Sequence, residues 1–119
     1  MMRIVLFILI LLHGIAHLVG FMVPWKMASP EGMAYKTTLL GGKVDVGNTG
    51  IRIVGVIWLM LFLAMMLSAA GIWFTIPSWK SFTITFCIVS LVMSVIGWPD
   101  SRIGIPVNAV ILVTVFIFF

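Results

Sequence analysis

The sequence predicts an all-α integral membrane protein, a bundle of four transmembrane helices with one long linker after the first. Hydrophobic residues make up 63% of the 119 residues and charged residues only 8%, whereas about one quarter of an ordinary soluble domain is charged. The apolar residues fall into runs close to the ~20 residues that cross a hydrocarbon core ~30 Å thick. Because these runs do not alternate between polar and apolar positions, they favour helices over the strands of a transmembrane barrel.

The four predicted spans form a single domain over 1–119 and cover about 3–23, 48–70, 78–98 and 103–119. The first span ends before Pro24, because proline disfavours helical geometry in the preceding residue. Asn48 or Thr49 is the expected N-cap of the second span, and Gly71 is expected to close it. The third span is expected to stop at the Trp98-Pro99 step.

The linker over 24–47 is too long for a simple hairpin between helices. Within it, Ser29-Pro30-Glu31 is typical of an N-cap followed by a proline at the first helical position and an early acidic residue. Gly41 and Gly42 are typical of a helix stop. The pattern therefore predicts a short helix over about 30–40.

The net charge of +4 comes from seven basic residues that are spread singly between the spans. No Lys/Arg cluster indicates a nucleic-acid footprint, so the expected partner of the basic residues is the lipid bilayer. The linker side carries more of them than the opposite side, which favours a cytoplasmic linker. Cys87, the only cysteine, allows no intrachain disulfide and is expected to fill the core.

Polar side chains within the spans gather toward the linker side of the membrane. At ~1.5 Å per residue, His17 and Asn108 lie ~9 Å inside that face, Ser94 lies ~6 Å inside it, and His13 and Ser90 lie one turn deeper than His17 and Ser94. Polar groups in spans usually face the bundle interior or a water-filled cavity. The sequence therefore predicts a polar pocket that opens toward the linker side. It also predicts that the α-helical face of His13, His17 and Gly20 packs on the face of Ser90, Ser94 and Gly97.

Three charged residues at the linker side could complete this pocket. Asp100 could orient a histidine, and Arg52 and Arg102 could form an anionic subsite. The alternative is that Asp100 or Ser101 caps the fourth span and Arg102 lies at the lipid headgroups. The Arg52 guanidinium is then expected to snorkel or to pair.

Three interpretations of the histidine pair are open. The rings could be neutral hydrogen-bonding groups between helices, they could bind a ligand or carry a proton near neutral pH, or they could hold a metal. Two imidazoles at i and i+4 can share one metal ion. A third ligand is lacking unless Asp100 reaches in, so no metal site is predicted and no cofactor is named.

The segments HGIAHLVGF, GIRIVGVIWLM and GWPDSRIGIPVN resemble a group of small bacterial four-helix membrane proteins that are broadly DoxX-like. The resemblance implies a four-helix fold in a bacterial inner membrane and no particular reaction. The features that carry it are a histidine-glycine step with a second histidine, and a Trp-x-Asp-x-Arg turn with a later asparagine, here His13, Gly14, His17, Trp98, Asp100, Arg102 and Asn108.

The leading functional hypothesis is binding of a small or amphipathic ligand in the polar pocket. His13 and His17 are its central groups, supported by Arg52, Ser94, Asp100, Arg102 and Asn108. The alternatives are a proton-coupled transporter or channel subunit, which would need an oligomer, and an accessory subunit of a larger membrane complex. No nucleophile, base and orienting group form a set, so enzymatic activity stays open.

Overall fold

The computed structural model of the protein describes residues 1–30 and 33–119, and its architecture is an all-α helical bundle with a small hairpin. The elements are α1 Met2–Met22, β1 Thr38–Leu39, β2 Val44–Asp45, α2 Gly47–Trp73, α3 Trp79–Ile96 and α4 Gly104–Phe118. The four predicted helices are thereby confirmed. Three of them, α1, α2 and α3, are long and apolar enough to cross a membrane.

The fourth helix is shorter than its predicted span. It has 15 residues, which at about 1.5 Å per residue give a length of about 22 Å, less than the ~30 Å of a hydrocarbon core. The turn from Gly97 to Ile103 takes up residues at both helix ends, so α3 also stops earlier than expected, at Ile96.

The second helix corrects two predicted boundaries. It begins at Gly47, so Asn48 and Thr49 are already helical, and the Asn48 side chain accepts a hydrogen bond from the Tyr35 hydroxyl. It also continues past Gly71, which is buried within it. A Cβ atom at Gly71 would lie 3.0 Å from the Cβ of Trp79, so this glycine allows α3 to approach α2 and does not end the helix.

The predicted short helix over about 30–40 is wrong for the residues that the structure describes, and positions 31 and 32 lie outside them. Residues 33–37 are irregular, and β1 then pairs antiparallel with β2. Gly41 and Gly42 adopt φ angles of 67° and 90°, a region that glycine occupies without steric penalty. The two glycines therefore form the turn of a hairpin and not the stop of a helix.

Asp45 holds the base of this hairpin. Its carboxylate accepts hydrogen bonds of 2.9 Å from the Gly47 backbone N–H and from the Thr37 hydroxyl. The backbone bond, followed by the hydroxyl bond, lowers the pKa of Asp45 below its ordinary value, because both favour the charged carboxylate. The end of the hairpin is thereby tied to the start of α2.

The hairpin docks on the end of α3. The Leu40 N–H donates to the carbonyl of Ile96 at 2.9 Å, and the Gly41 N–H donates to the carbonyl of Trp98 at 2.9 Å. Carbonyl groups in the last turn of a helix have no partner within the helix, so the hairpin supplies one from outside. We call the end of the bundle that carries the linker and the α3–α4 turn the linker end.

The helices form a ring in which neighbours in sequence are neighbours in space. The packing is most extensive between α1 and α2 and least extensive between α1 and α4. Arg3 at the start of α1 bonds to carbonyls at the end of α2, and Trp79 at the start of α3 packs edge-on against Phe119. These contacts identify an up-down bundle.

Glycines on α1 bring it close to α2. A Cβ at Gly14 would lie 2.8 Å from the Cβ of Met65, and a Cβ at Gly20 would lie 2.5 Å from the indole of Trp58. Small residues permit this close approach between helices that have only packing to hold them. The prediction that Gly20 packs on α3 is therefore wrong, because Gly20 faces Trp58 of α2.

The interior has an apolar half and a polar half. The apolar half includes Leu6, Ile10, Met65 and Ile111, all buried, together with the Cys87 thiol, as predicted for that cysteine. Many large apolar side chains point outward instead, and Leu63 and Val113 are 48% and 54% exposed. Such an exterior fits a lipid environment better than water.

Candidate functional site

Four buried side chains from three helices form the candidate site, and we call them the histidine cluster: His13, His17, Ser90 and Asn108. Their exposed fractions are 8%, 3%, 0% and 0%. The two histidines lie one turn apart on the inner face of α1, with ring centroids 4.5 Å apart and an edge-on angle of 83°. Ser90 comes from α3 and Asn108 from α4. The depths that the sequence predicts for the four residues, about 9 to 15 Å, agree with their meeting in one cluster.

The two nitrogens of His17 have partners that fix its tautomer. Nδ1 lies 2.6 Å from the carbonyl oxygen of His13, and since a carbonyl can only accept, Nδ1 carries the proton and donates it. In the neutral ring Nε2 is then an acceptor, and the Ser90 hydroxyl donates to it at 2.7 Å. This second bond crosses the bundle between α1 and α3.

Asn108 completes the cluster from α4. Its Oδ1 accepts the Nε2–H of His13 at 3.0 Å. Its Nδ2 donates one proton to Ser90 Oγ at 3.0 Å and the other to the carbonyl of Gly104 at 2.8 Å. Both amide protons are therefore used, and Ser90 accepts from Asn108 while it donates to His17.

These hydrogen bonds form a loop with one direction. They run from the His13 ring through Asn108 and Ser90 to the His17 ring, and they end at the carbonyl of His13 itself. Each ring has one proton in this arrangement, so the pattern fits two neutral imidazoles. An amide stands within the loop and a carbonyl ends it, so the loop does not provide a proton path across the bundle.

One ring nitrogen of the pair is left over. Within residues 1–30 and 33–119, Nδ1 of His13 makes no hydrogen bond, and unlike the unbonded Ser68 and Thr83 hydroxyls it is not fully buried. In the tautomer that donates to Asn108, this nitrogen has a free lone pair. The cluster can therefore accept one further hydrogen bond without losing any that it already has.

Trp58 of α2 closes the cluster on its fourth side. Its indole lies edge-on to His17, with ring centroids 5.2 Å apart, and it covers Gly20 one turn further along α1. The sequence does not indicate that Trp58 pairs with a histidine, because the rotation of α2 is set by packing.

Ser94 is close to the cluster but bonds elsewhere. Its hydroxyl donates to the carbonyl of Ser90 at 2.8 Å, and its own carbonyl accepts from the Ser101 hydroxyl at 2.8 Å. The side chain also packs against Gly104. Ser94 therefore joins the end of α3 to the start of α4, whereas Ser90, which the predicted site residues omitted, bonds directly to His17.

The three charged residues of the predicted site do not join the histidines in the described part of the chain. Asp100 pairs with Lys36 at 2.9 Å, which ties the linker to the α3–α4 turn. Arg52 is exposed, and its guanidinium lies 5.5 Å from the ring centroid of Trp25. Arg102 is exposed in the α3–α4 turn. Their proposed part in ligand binding stays a prediction.

The described structure differs from the predicted open pocket. The polar side chains are buried and bonded to one another, and they do not line an open recess. A cavity of about 320 Å³ does lie at the linker end, between the hairpin and the α3–α4 turn, where Lys36, Thr38 and Trp98 line it. No group of three or more His, Cys, Asp or Glu side chains suited to a metal lies within the described ranges.

Comparisons with protein-family models, with curated proteins and with solved structures find no match for this chain. The resemblance to DoxX-like proteins therefore stays a prediction from its short motifs.

Proposed function

We propose that the protein is a polytopic membrane protein that binds a small or amphipathic ligand at the histidine cluster. Insertion is supported by three helices of 21, 27 and 18 residues that are long and apolar enough to span a bilayer. It is also supported by the outward-facing apolar side chains. A bacterial inner membrane and a DoxX-like family are part of this proposal, on the strength of the sequence motifs alone.

The free Nδ1 of His13 is the observation that carries ligand binding. An acceptor in a low-dielectric interior gains more from a donor than one in water does. The ligand would thus present a hydroxyl, an amide N–H or a protonated carboxyl group to this nitrogen. An apolar remainder would suit the surroundings, since Trp58, which lies against His17, packs in an apolar cluster with Leu61 and Met93.

The seam between α1 and α4 is the most favourable way in. These two neighbouring helices have the least extensive packing in the ring, and the bond from His13 to Asn108 crosses their seam. A modest separation of α4 would therefore expose the His13 ring to the lipid phase. An amphipathic molecule dissolved in the bilayer could reach it by this route.

Replacement of His13 by glutamine tests the proposal selectively. The glutamine amide can still donate to Asn108 from a position near Nε2, but it has no acceptor at the place of Nδ1. Native mass spectrometry of the gently purified protein should show a retained non-protein mass in wild type and lose it in His13→Gln. Thr114→Val is the matched control, because Thr114 bonds only to the Val110 carbonyl of its own helix.

Two results would overturn ligand binding. Wild type could carry no additional mass after mild extraction, or His13→Gln could retain the same mass as wild type and Thr114→Val. Circular dichroism of each variant would establish that the helices are intact.

A second candidate, an accessory subunit of a larger membrane complex, is favoured by the closed loop of hydrogen bonds. Apart from Nδ1 of His13, the polar groups of the cluster satisfy one another, as expected of side chains that hold helices together. In that case the protein would co-purify with a larger partner at a fixed ratio. Proton-coupled transport gains no comparable support, since the loop ends on a carbonyl.

A further inference from the structure

A second region of interest lies at the end of the bundle opposite the linker, which we call the terminal end. A surface groove of about 350 Å³ runs there between α1 and α2. Phe7 and Leu11 form one wall, Met66 and Trp73 form the other, and Ala70 lies between them. The alanine leaves room for an occupant, and the walls are almost wholly apolar.

Arg3 is bonded to the end of α2 that carries Trp73, one of the groove's wall residues. Its Nε donates to the carbonyl of Ile72 at 2.9 Å, and its Nη2 donates to the carbonyl of Trp73 at 2.8 Å. A guanidinium has five N–H groups, so three are left for another acceptor. The two bonds hold a positive charge beside Trp73, whose ring also packs on Phe7 with centroids 5.1 Å apart.

The charged side chains that the structure places at the terminal end are all positive. The sequence has three acidic residues, and Asp45 and Asp100 lie at the linker end while Glu31 belongs to the linker. The charged side chains at the terminal end are Arg3 and Lys80. Among the residues that the structure describes, no carboxylate side chain therefore lies at this end to compete for the free N–H groups of Arg3.

We propose that this groove binds an anionic phospholipid, with an acyl chain between Phe7 and Met66 and the phosphate on Arg3. Arginine suits this role because its planar fork can bond two phosphate oxygens at once. Tryptophan is typical of the depth at which headgroups meet acyl chains, and Trp73 marks that depth beside Arg3. The inference rests on the membrane insertion proposed above but not on ligand binding at the histidines.

The test compares anionic and zwitterionic lipids around the full-length protein. Nanodiscs would contain equal amounts of phosphatidylglycerol and phosphatidylcholine, one of them with brominated acyl chains. Quenching of Trp73 would be isolated as the difference between each protein and its Trp73→Phe counterpart. Brominated phosphatidylglycerol should quench Trp73 more strongly than brominated phosphatidylcholine does.

Arg3→Gln and Lys80→Gln form a matched pair, since each removes one positive charge from the terminal end. A basic residue near the surface changes anionic lipid binding about fivefold, so Arg3→Gln should lower the preference by about that factor. Lys80→Gln should leave it nearly unchanged. Arg3→Lys, which keeps the charge and loses the planar fork, should fall between wild type and Arg3→Gln. Ala70→Leu, which fills the groove, should reduce quenching by both lipids.

The outcomes separate the two proposals. A protein that fails to enter nanodiscs contradicts membrane insertion itself. An inserted protein whose Trp73 is quenched equally by both lipids contradicts the lipid site. So does an equal loss in Arg3→Gln and Lys80→Gln, or a second copy of the chain crosslinked through the groove.

Discussion

Replacement of Asn108 by leucine is the most direct test of the hydrogen-bonded loop. The side chain is fully buried and bonds to His13 on α1 and to Ser90 on α3. Leucine has a similar size and can make neither bond. The substitution should therefore weaken the attachment of α4 to two other helices while it leaves the packed volume nearly unchanged.

The expected loss of stability follows from the number of interhelical bonds. Such bonds in membrane proteins are worth about 0.6 kcal/mol on average and about 1.7 kcal/mol at most. Two of them give a loss of about 1 to 3 kcal/mol. The bond to the Gly104 carbonyl lies within α4 and adds little, since the corresponding carbonyl keeps its helical partner.

The measurement is the free energy of unfolding in mixed micelles with a rising fraction of denaturing detergent. Thr114→Val again serves as the control, because it removes a hydroxyl on the same helix that makes no interhelical bond. A double-mutant cycle with His13→Ala and Asn108→Ala should give a coupling energy of about 0.6 to 1.7 kcal/mol. A free energy of unfolding of Asn108→Leu equal to that of Thr114→Val, or a coupling energy close to zero, would contradict a stabilising role for the two interhelical bonds of Asn108.

Three further predictions concern the packing and the linker end. Gly20→Ala should destabilise the bundle by about 1 to 3 kcal/mol, because its Cβ would meet the rigid indole of Trp58; a detergent unfolding curve that matches wild type would contradict the close packing. Order in the hairpin should persist above the ordinary Asp pKa of about 4 and be lost as the pH falls through the lowered pKa of Asp45, and NMR chemical shifts should show this titration in wild type but not in Asp45→Asn. Lys36→Glu should lower stability by less than about 1 kcal/mol, with most of the loss recovered by Asp100→Lys in the double variant; a larger, unrecovered loss would show that the pair is not what Lys36 contributes.

The sequence carried enough information to place the helices and the level of the histidine cluster. Apolar runs and prolines located four helices, and the rise per residue put His17 and Asn108 at one depth with Ser90 about 3 Å deeper. Depth is a one-dimensional quantity that the helix geometry determines. The direction in which Ser94 points also depends on rotation and rotamer, so its bond to Ser90 could not be read from spacing.

The linker and the charged residues were harder to predict because tertiary contacts decide them. The sequence around Ser29 resembles a helix start, yet the next segment pairs as a hairpin that satisfies carbonyls at the end of α3. Arg52 has a long, exposed side chain in the first turns of α2, and Asp100 has a partly exposed one in the α3–α4 turn. Several partners are within reach of each. Lys36 lies next to Asp100 only because the hairpin folds back over the turn, a contact that no local pattern encodes.

Two kinds of contact stabilise the bundle, interhelical hydrogen bonds and close packing of apolar side chains and glycines. The polar bonds of the histidine cluster join α1 to α3 and to α4. At the same level α2 meets α1 through glycines and apolar side chains, and the Arg3 hydrogen bonds join these two helices only at the terminal end. Polar bonds depend on direction and close packing depends on shape, so the two fail under different substitutions. A variant such as Asn108→Leu should release α4 and leave the α1–α2 pair intact, while Gly20→Ala should disturb that pair first. If a ligand binds at the histidine cluster as proposed, the α1–α4 seam that the His13–Asn108 bond crosses is the one it would open.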